Sequence, residues 1–220
     1  MVIAYAIMYS WTIGKRIGFI DKVVVNMRKV MFDVDGVLAD FVYSFTKLAA
    51  QHDYISKPYD TTTQPAWDFD GKLTHEQQAE LWSEIIARSF WWRSLDSLVT
   101  PTEVNWINSI AERMEVVYCT NRVAKNPNAQ TQTWLWLKDI GINRPNVIVT
   151  KRKGDVARAL DIDYSIDDKI ENVNCVHWIA DTKPCRSYVL DRLYNKNGAA
   201  KNVRRVGTIT DFLTDVEEGK

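Results

Sequence analysis

Apolar and polar positions along the chain follow two periods, and the switches between them map the expected elements. Runs rich in β-branched and apolar residues at 29–32, 115–119, 147–149 and 164–166 predict strands, each closed by a polar cluster. Between them the spacing becomes helical. Residues 41–53 place Phe41, Phe45, Leu48 and Ala49 on one face, and the stretch after Thr74 carries Leu81, Trp82, Ile85 and Ile86 inward until about 90–92. Thr74 with Gln77, and Thr100 with Pro101 and Glu103, read as helix starts. Further helices are expected at 130–140, closed by Gly141, at 155–160 and at 210–216, with a weaker strand at 176–180 leading to Asp181. Pro58, the threonine run 61–63, Pro65 and Gly71 make 54–72 a loop. Strand and helix in alternation imply an α/β fold, a Rossmann-like mainly parallel sheet with helices on both faces.

The first strand runs into Asp33-Val34-Asp35-Gly36. On an extended backbone Asp33 and Asp35 leave the same face while Val34 turns away, and Gly36 permits a sharp turn. Two acids held together favour a bound cation or one protonated carboxyl, which suits metal-assisted phosphoryl chemistry. An acidic turn after a strand is the plain alternative; an EF-hand fits poorly, because its glycine stands sixth in the loop and here glycine comes fourth. The other strand ends carry Thr120 and Asn121, then Lys153, then Asp167 and Asp168. Open α/β sheets bind ligands at the carboxyl ends of their strands, so these groups are expected to meet. Singly, Thr120 could be an ordinary strand end, Lys153 solvent-facing like Lys151 and Arg152, and Asp167-Asp168 a helix cap. Together they read as a site.

Composition narrows the substrate. At 220 residues with 25% charged, the chain has room for one sizeable core and a small inserted subdomain. Net charge is zero and the pI is near 6.8, so no global field would hold a nucleic-acid backbone, and a small-molecule substrate is favoured. Cys119, Cys175 and Cys185 show neither a zinc spacing nor an even count and read as reduced thiols of a cytoplasmic protein. The apolar run 2–9 is too short to span a bilayer; residues 1–26 read as an N-terminal extension, with an uncleaved anchor as the alternative. Nine tryptophans either fill a core or wall a flat ligand. His52, His75 and His177 stand singly as structural or surface groups, and Lys201, Arg204 and Arg205 read as a solvated basic face.

The ordered set Asp33-Val34-Asp35-Gly36, Thr120, Lys153 and Asp167-Asp168 resembles the four motifs of the haloacid dehalogenase superfamily phosphatases, over about residues 27–200. Within it, 33–41, Cys119-Thr120-Asn121, Thr150-Lys151-Arg152-Lys153 and Ile166-Asp167-Asp168-Lys169 look like the 5'(3')-deoxyribonucleotidases. The resemblance implies a haloacid dehalogenase-like core, 27–42 and 98–220, with a small helical cap, 43–97, inserted after the first strand. One departure is Cys119-Thr120-Asn121-Arg122 where members often read Cys-Thr-Ser-Pro, which would make the second phosphate donor the amide of Asn121. The gap from Lys153 to Asp167 is also longer than usual.

The roles that follow from this resemblance are expectations. Asp33 is the nucleophile, forming an aspartyl-phosphate, and Asp35 is the general acid and base. Mg²⁺ is held by Asp33, the backbone carbonyl of Asp35 and Asp168, with Asp167 as the alternative. Lys153 and Thr120 face the phosphate oxygens. Phe41 matches a position that packs on base or sugar, and Trp67 and Phe69 could extend that wall or fill the core. The expected activity is Mg²⁺-dependent dephosphorylation of nucleoside monophosphates, chiefly deoxyribonucleotides. A sugar phosphatase, a nucleic-acid 3'-phosphatase and a silent nucleotide-binding module are the alternatives. Neither a nucleic-acid polymer nor a membrane is an expected partner, and a homodimer is left open. Neither Gly-x-x-x-x-Gly-Lys nor Gly-x-Gly-x-x-Gly occurs, which disfavours P-loop and dinucleotide enzymes.

Overall fold

A computed structural model describes residues 27–59, 61, 69, 71–122, 128–179, 185–196 and 203–220. The run 2–9, Trp67, Ala180, Asp181 and Lys201 therefore lie outside the described residues. Six strands form one sheet: β1 Lys29–Phe32, β2 Glu115–Thr120, β3 Val147–Val149, β4 Tyr164–Asp167, β5 Arg186–Leu190 and β6 Arg204–Val206. All their pairings are parallel and the order is β3-β2-β1-β4-β5-β6. The helices are α1 Phe41–Gln51, α2 His75–Ala87, α3 Pro101–Ile110, α4 Ala129–Asp139, α5 Lys153–Leu160, α6 Ile170–Ile179 and α7 Ile209–Glu218, with 3₁₀ turns at Trp91–Arg93 and Leu193–Asn195.

Alternation along β1 sorts the core into two layers. Val30 and Phe32 enter a large cluster with Trp136 of α4, Ile107 of α3 and Phe212 of α7, while Met31 joins a smaller one with Ala157 of α5 and Val176 of α6. Helices thus cover both faces, as a buried parallel sheet requires. The chain leaves β1 toward β2 on one side and reaches β4 on the other, so strand order reverses beside β1. That reversal opens a crevice at the carboxyl ends.

Register does the rest. Phe32 pairs with both Tyr118 and Ile166, so Asp33 emerges beside Asp167, and the Asp33 N–H donates to the Ile166 carbonyl at 2.9 Å. The segment holding α1 and α2 departs and returns at one place, where the Asp40 N–H donates to the Asp96 carbonyl at 2.8 Å and the Leu98 N–H to the Leu38 carbonyl at 2.7 Å.

Two expectations about elements, residues 176–179 and Trp82, need correction. Residues 176–179 are not a strand but the end of α6, whose Ile170, Val173 and Val176 recur at helical spacing; the strand follows later, as β5. Arg204 and Arg205 belong to β6 and are exposed, as a solvated face requires, each with an acidic partner, Asp215 at 2.9 Å and Asp191 at 2.8 Å respectively. Trp82 does not turn fully inward, and remains 38% exposed on the wall of the crevice.

Candidate active site

The charged groups at the crevice stand at the ends of four strands, Asp33 and Asp35 after β1, Arg122 after β2, Lys153 after β3, and Asp167 and Asp168 at β4. Lys153 opens α5, just beyond β3, and its buried Nζ lies 2.7 Å from Asp33 Oδ1 and 2.6 Å from Asp167 Oδ2. Burial alone would lower the lysine's pKa, but the Asp167 and Asp33 carboxylates raise it above the usual range, so it stays charged. Asp167 accepts three hydrogen bonds. Its Oδ1 accepts from the Lys169 N–H at 2.8 Å and from Asn172 Nδ2 at 3.1 Å, in addition to the lysine on Oδ2.

Asp168 is the opposite case. The Tyr194 hydroxyl donates to its Oδ2, while Oδ1 is buried with no hydrogen-bond partner among the described residues. Burial and the neighbouring Asp167 push the Asp168 carboxyl up to about 7. Burial, then Asp167, also raises Asp33 well above the carboxylate range, against the pull of Lys153. Oxygens of Asp33, Asp167 and Asp168 lie within 4.8 Å of one another. Three clustered acids, one lysine and an orphaned buried oxygen fit a divalent cation, whose charge would offset the burial and the repulsion that raise these pKa values. Gly36 makes room: its φ is +82°, and a Cβ there would stand 2.1 Å from Asp168 Oδ2.

Asp35 turns away from that cluster. Thr120 Oγ1 donates to its Oδ2 at 3.1 Å, and Arg122 grips it with Nη2 to Oδ1 at 2.7 Å and Nε to Oδ2 at 3.0 Å. Its carboxylate is not part of the three-acid group, which leaves only the backbone carbonyl for the metal role expected of it. Arg122 itself is buried, donates Nη1 to Thr133 Oγ1 at 2.9 Å, and lies over the Trp92 ring at 4.7 Å. In the sequence Arg122 stands out only as a departure from a family pattern; its burial and its partners Asp35 and Thr133 come from the fold, and no local spacing marks them.

An opening of about 270 Å³ joins these groups to an aromatic wall. Asp33, Asp35, Thr120, Asn121, Lys153 and Asp168 line it. Phe41, Trp82, Trp92 and Phe69 line it too, the rings of Phe41, Trp82 and Trp92 forming a triangle with centroids 5.7, 6.0 and 6.5 Å apart. Phe69 is both wall and core, buried and stacked on Phe45 at 4.7 Å. All described residues expected at the site therefore converge there.

A family model described as 5' nucleotidase, deoxy (pyrimidine), cytosolic type C matches residues 26–206. The chain belongs to that family. Membership makes this nucleotidase-family protein a phosphatase, and solved structures agree on the fold. A haloacid dehalogenase-like hydrolase from Burkholderia xenovorans LB400 is 15% identical, with 87% of this chain and 98% of that one covered at a TM-score of 0.54. A HAD family hydrolase from Deinococcus radiodurans R1, solved with bound phosphate and sodium, is 12% identical over 88% of this chain and 96% of that one, with a TM-score of 0.53. Another haloacid dehalogenase-like hydrolase, from Xanthomonas campestris, is 16% identical over 87% and 95% of the two chains at 0.52. No curated protein matches the chain. Among the described residues, no helix is long and apolar enough to cross a membrane.

Proposed function

We propose that the protein is a Mg²⁺-dependent phosphomonoesterase of nucleoside monophosphates, with deoxyribonucleotides as its main substrates. The observation that carries this reading is the convergence of Asp33, Lys153 and Asp168 with Phe41, Trp82 and Trp92 around one opening of about 270 Å³. Asp33 and Asp168 would hold the cation, with the Asp35 carbonyl; Asp167 is already committed to Lys153, Lys169 and Asn172. When bound, Mg²⁺ supplies positive charge that offsets repulsion between the carboxylates and a phosphate dianion.

The remaining work falls to the chain. Asp33 attacks phosphorus, its new O–P bond forming as the bond to the nucleoside oxygen breaks. Asp35 gives its proton to that oxygen and later takes one from the water that hydrolyses the aspartyl-phosphate, regenerating Asp33. Lys153 and the Thr120 hydroxyl hold the phosphoryl oxygens, joined by the Asn121 amide. Phe41, Trp82 and Trp92 offer flat apolar faces to base and sugar, and residues 43–97 act as the cap that carries most of that wall. The family description, which names deoxy and pyrimidine substrates, supports this choice of ligand.

The test is phosphate release from a panel of ribo- and deoxyribonucleoside 5'- and 3'-monophosphates and sugar phosphates, with Mg²⁺ and with chelator. Turnover is expected to be highest for deoxyribonucleotides and absent with chelator. Sugar phosphates outpacing every nucleotide would refute the substrate reading.

A further inference from the structure

We propose that Arg192 and the 3₁₀ turn Leu193–Asn195 brace the cation site, with Tyr194 as the positioning residue for Asp168; this rests on the reading of Asp33 and Asp168 as cation ligands. No motif marks the segment, which follows β5 on the far side of β4 from the nucleophile strand. Its side chains nevertheless reach both halves of the site. Tyr194 donates its hydroxyl to Asp168 Oδ2, and Asn195 Nδ2 donates to the Asp168 carbonyl at 2.6 Å and to the Leu190 carbonyl at 2.7 Å. Arg192 donates Nη2 and Nε to the Gly36 carbonyl at 2.7 and 3.2 Å, in the turn that follows Asp35. Asn195 is fixed in turn by Arg205, whose Nη1 reaches Asn195 Oδ1 at 2.9 Å and whose Nη2 reaches the Asn195 carbonyl at 2.8 Å.

The consequence is directional. A carboxylate with one oxygen held by a hydroxyl and its own carbonyl held by an amide cannot swing freely about its side-chain torsions. The second oxygen, Oδ1, is buried with no hydrogen-bond partner among the described residues and so is offered in one direction only. The packing is close: a Cβ at Gly36 would lie 3.1 Å from the Tyr194 hydroxyl as well as against Asp168. Outer partners of this kind orient a metal ligand, and losing one typically lowers metal affinity on the order of 10–100-fold.

The test is titration of the chelator-treated full chain with Mn²⁺, following free ion by electron paramagnetic resonance. Tyr194→Phe is expected to bind Mn²⁺ at least about tenfold more weakly than wild type while keeping the same circular dichroism. Arg192→Met, which acts from the Gly36 side, is expected to move affinity in the same direction. Wild-type affinity in both variants, or tighter binding in Tyr194→Phe, would overturn the brace and leave the cation site standing. A wild-type chain that binds no Mn²⁺ would overturn the cation site and the brace together.

Discussion

Asp35 and Arg122 show how one contact can serve both folding and chemistry. The guanidinium is enclosed, with the carboxylate on one side and the Trp92 ring on another. Removing one member of a buried ion pair leaves the other desolvated and unpaired, so Arg122→Ala is expected to cost about 3 kcal/mol in urea unfolding. A loss below about 1 kcal/mol would show the pair to be dispensable, as exposed pairs are. Asp35→Asn keeps the shape but removes the proton donor and acceptor. Turnover is expected to fall by about 10²–10⁴ with phosphate still bound, and an unchanged rate would remove Asp35 from its role. Asp33, Asp35, Thr120, Lys153 and Asp168 were legible because strand ends in a parallel sheet must share an edge. Arg122 and Tyr194 were not, since their value lies in partners far away in sequence, and no local spacing encodes that.

Elements divide along the same line between local and distant causes. Strands β1 and β2 could be read because uninterrupted apolar runs stop at polar clusters. The run 176–179 misled because a short apolar run reads equally well as a buried strand or one face of a helix, and it takes Ile170, Val173 and Val176, at helical spacing, to reveal α6. Strand β5 begins Arg186-Ser187, which masks it locally; its burial comes from β4 and from α7 packing above. The terminal helix is accordingly structural. Phe212 is fully buried and meets Phe32 edge-on at 5.4 Å and Tyr188 at 4.9 Å. Phe212→Ala is expected to destabilise by about 3–5 kcal/mol in urea titration, whereas a value near zero would detach α7 from the core.

At the scale of the whole molecule, a chain of zero net charge concentrates uncompensated acid in one place. Without cation, Asp33 and Asp168 hold protons to higher pH in the folded state than in the unfolded chain, Asp168 up to about 7. Stability from these groups is then complete below their unfolded pKa, about 4, and is lost as pH rises through the folded value. Glu84, Asp139 and Asp191 shift downward, so their contributions are already complete above the carboxylate range and do not offset the loss. The Tm of chelator-treated protein is expected to fall between about pH 5.5 and 7.5, and Mg²⁺ to restore it. A Tm that rises over that interval, or ignores Mg²⁺, would contradict this reading of the acid cluster. The most direct measurement is a rapid acid quench of turnover on a nucleoside 5'-[³²P]monophosphate, followed by peptide mapping. The account predicts transient label on Asp33 that disappears in Asp33→Asn; full turnover with no label on Asp33 at any time would contradict it.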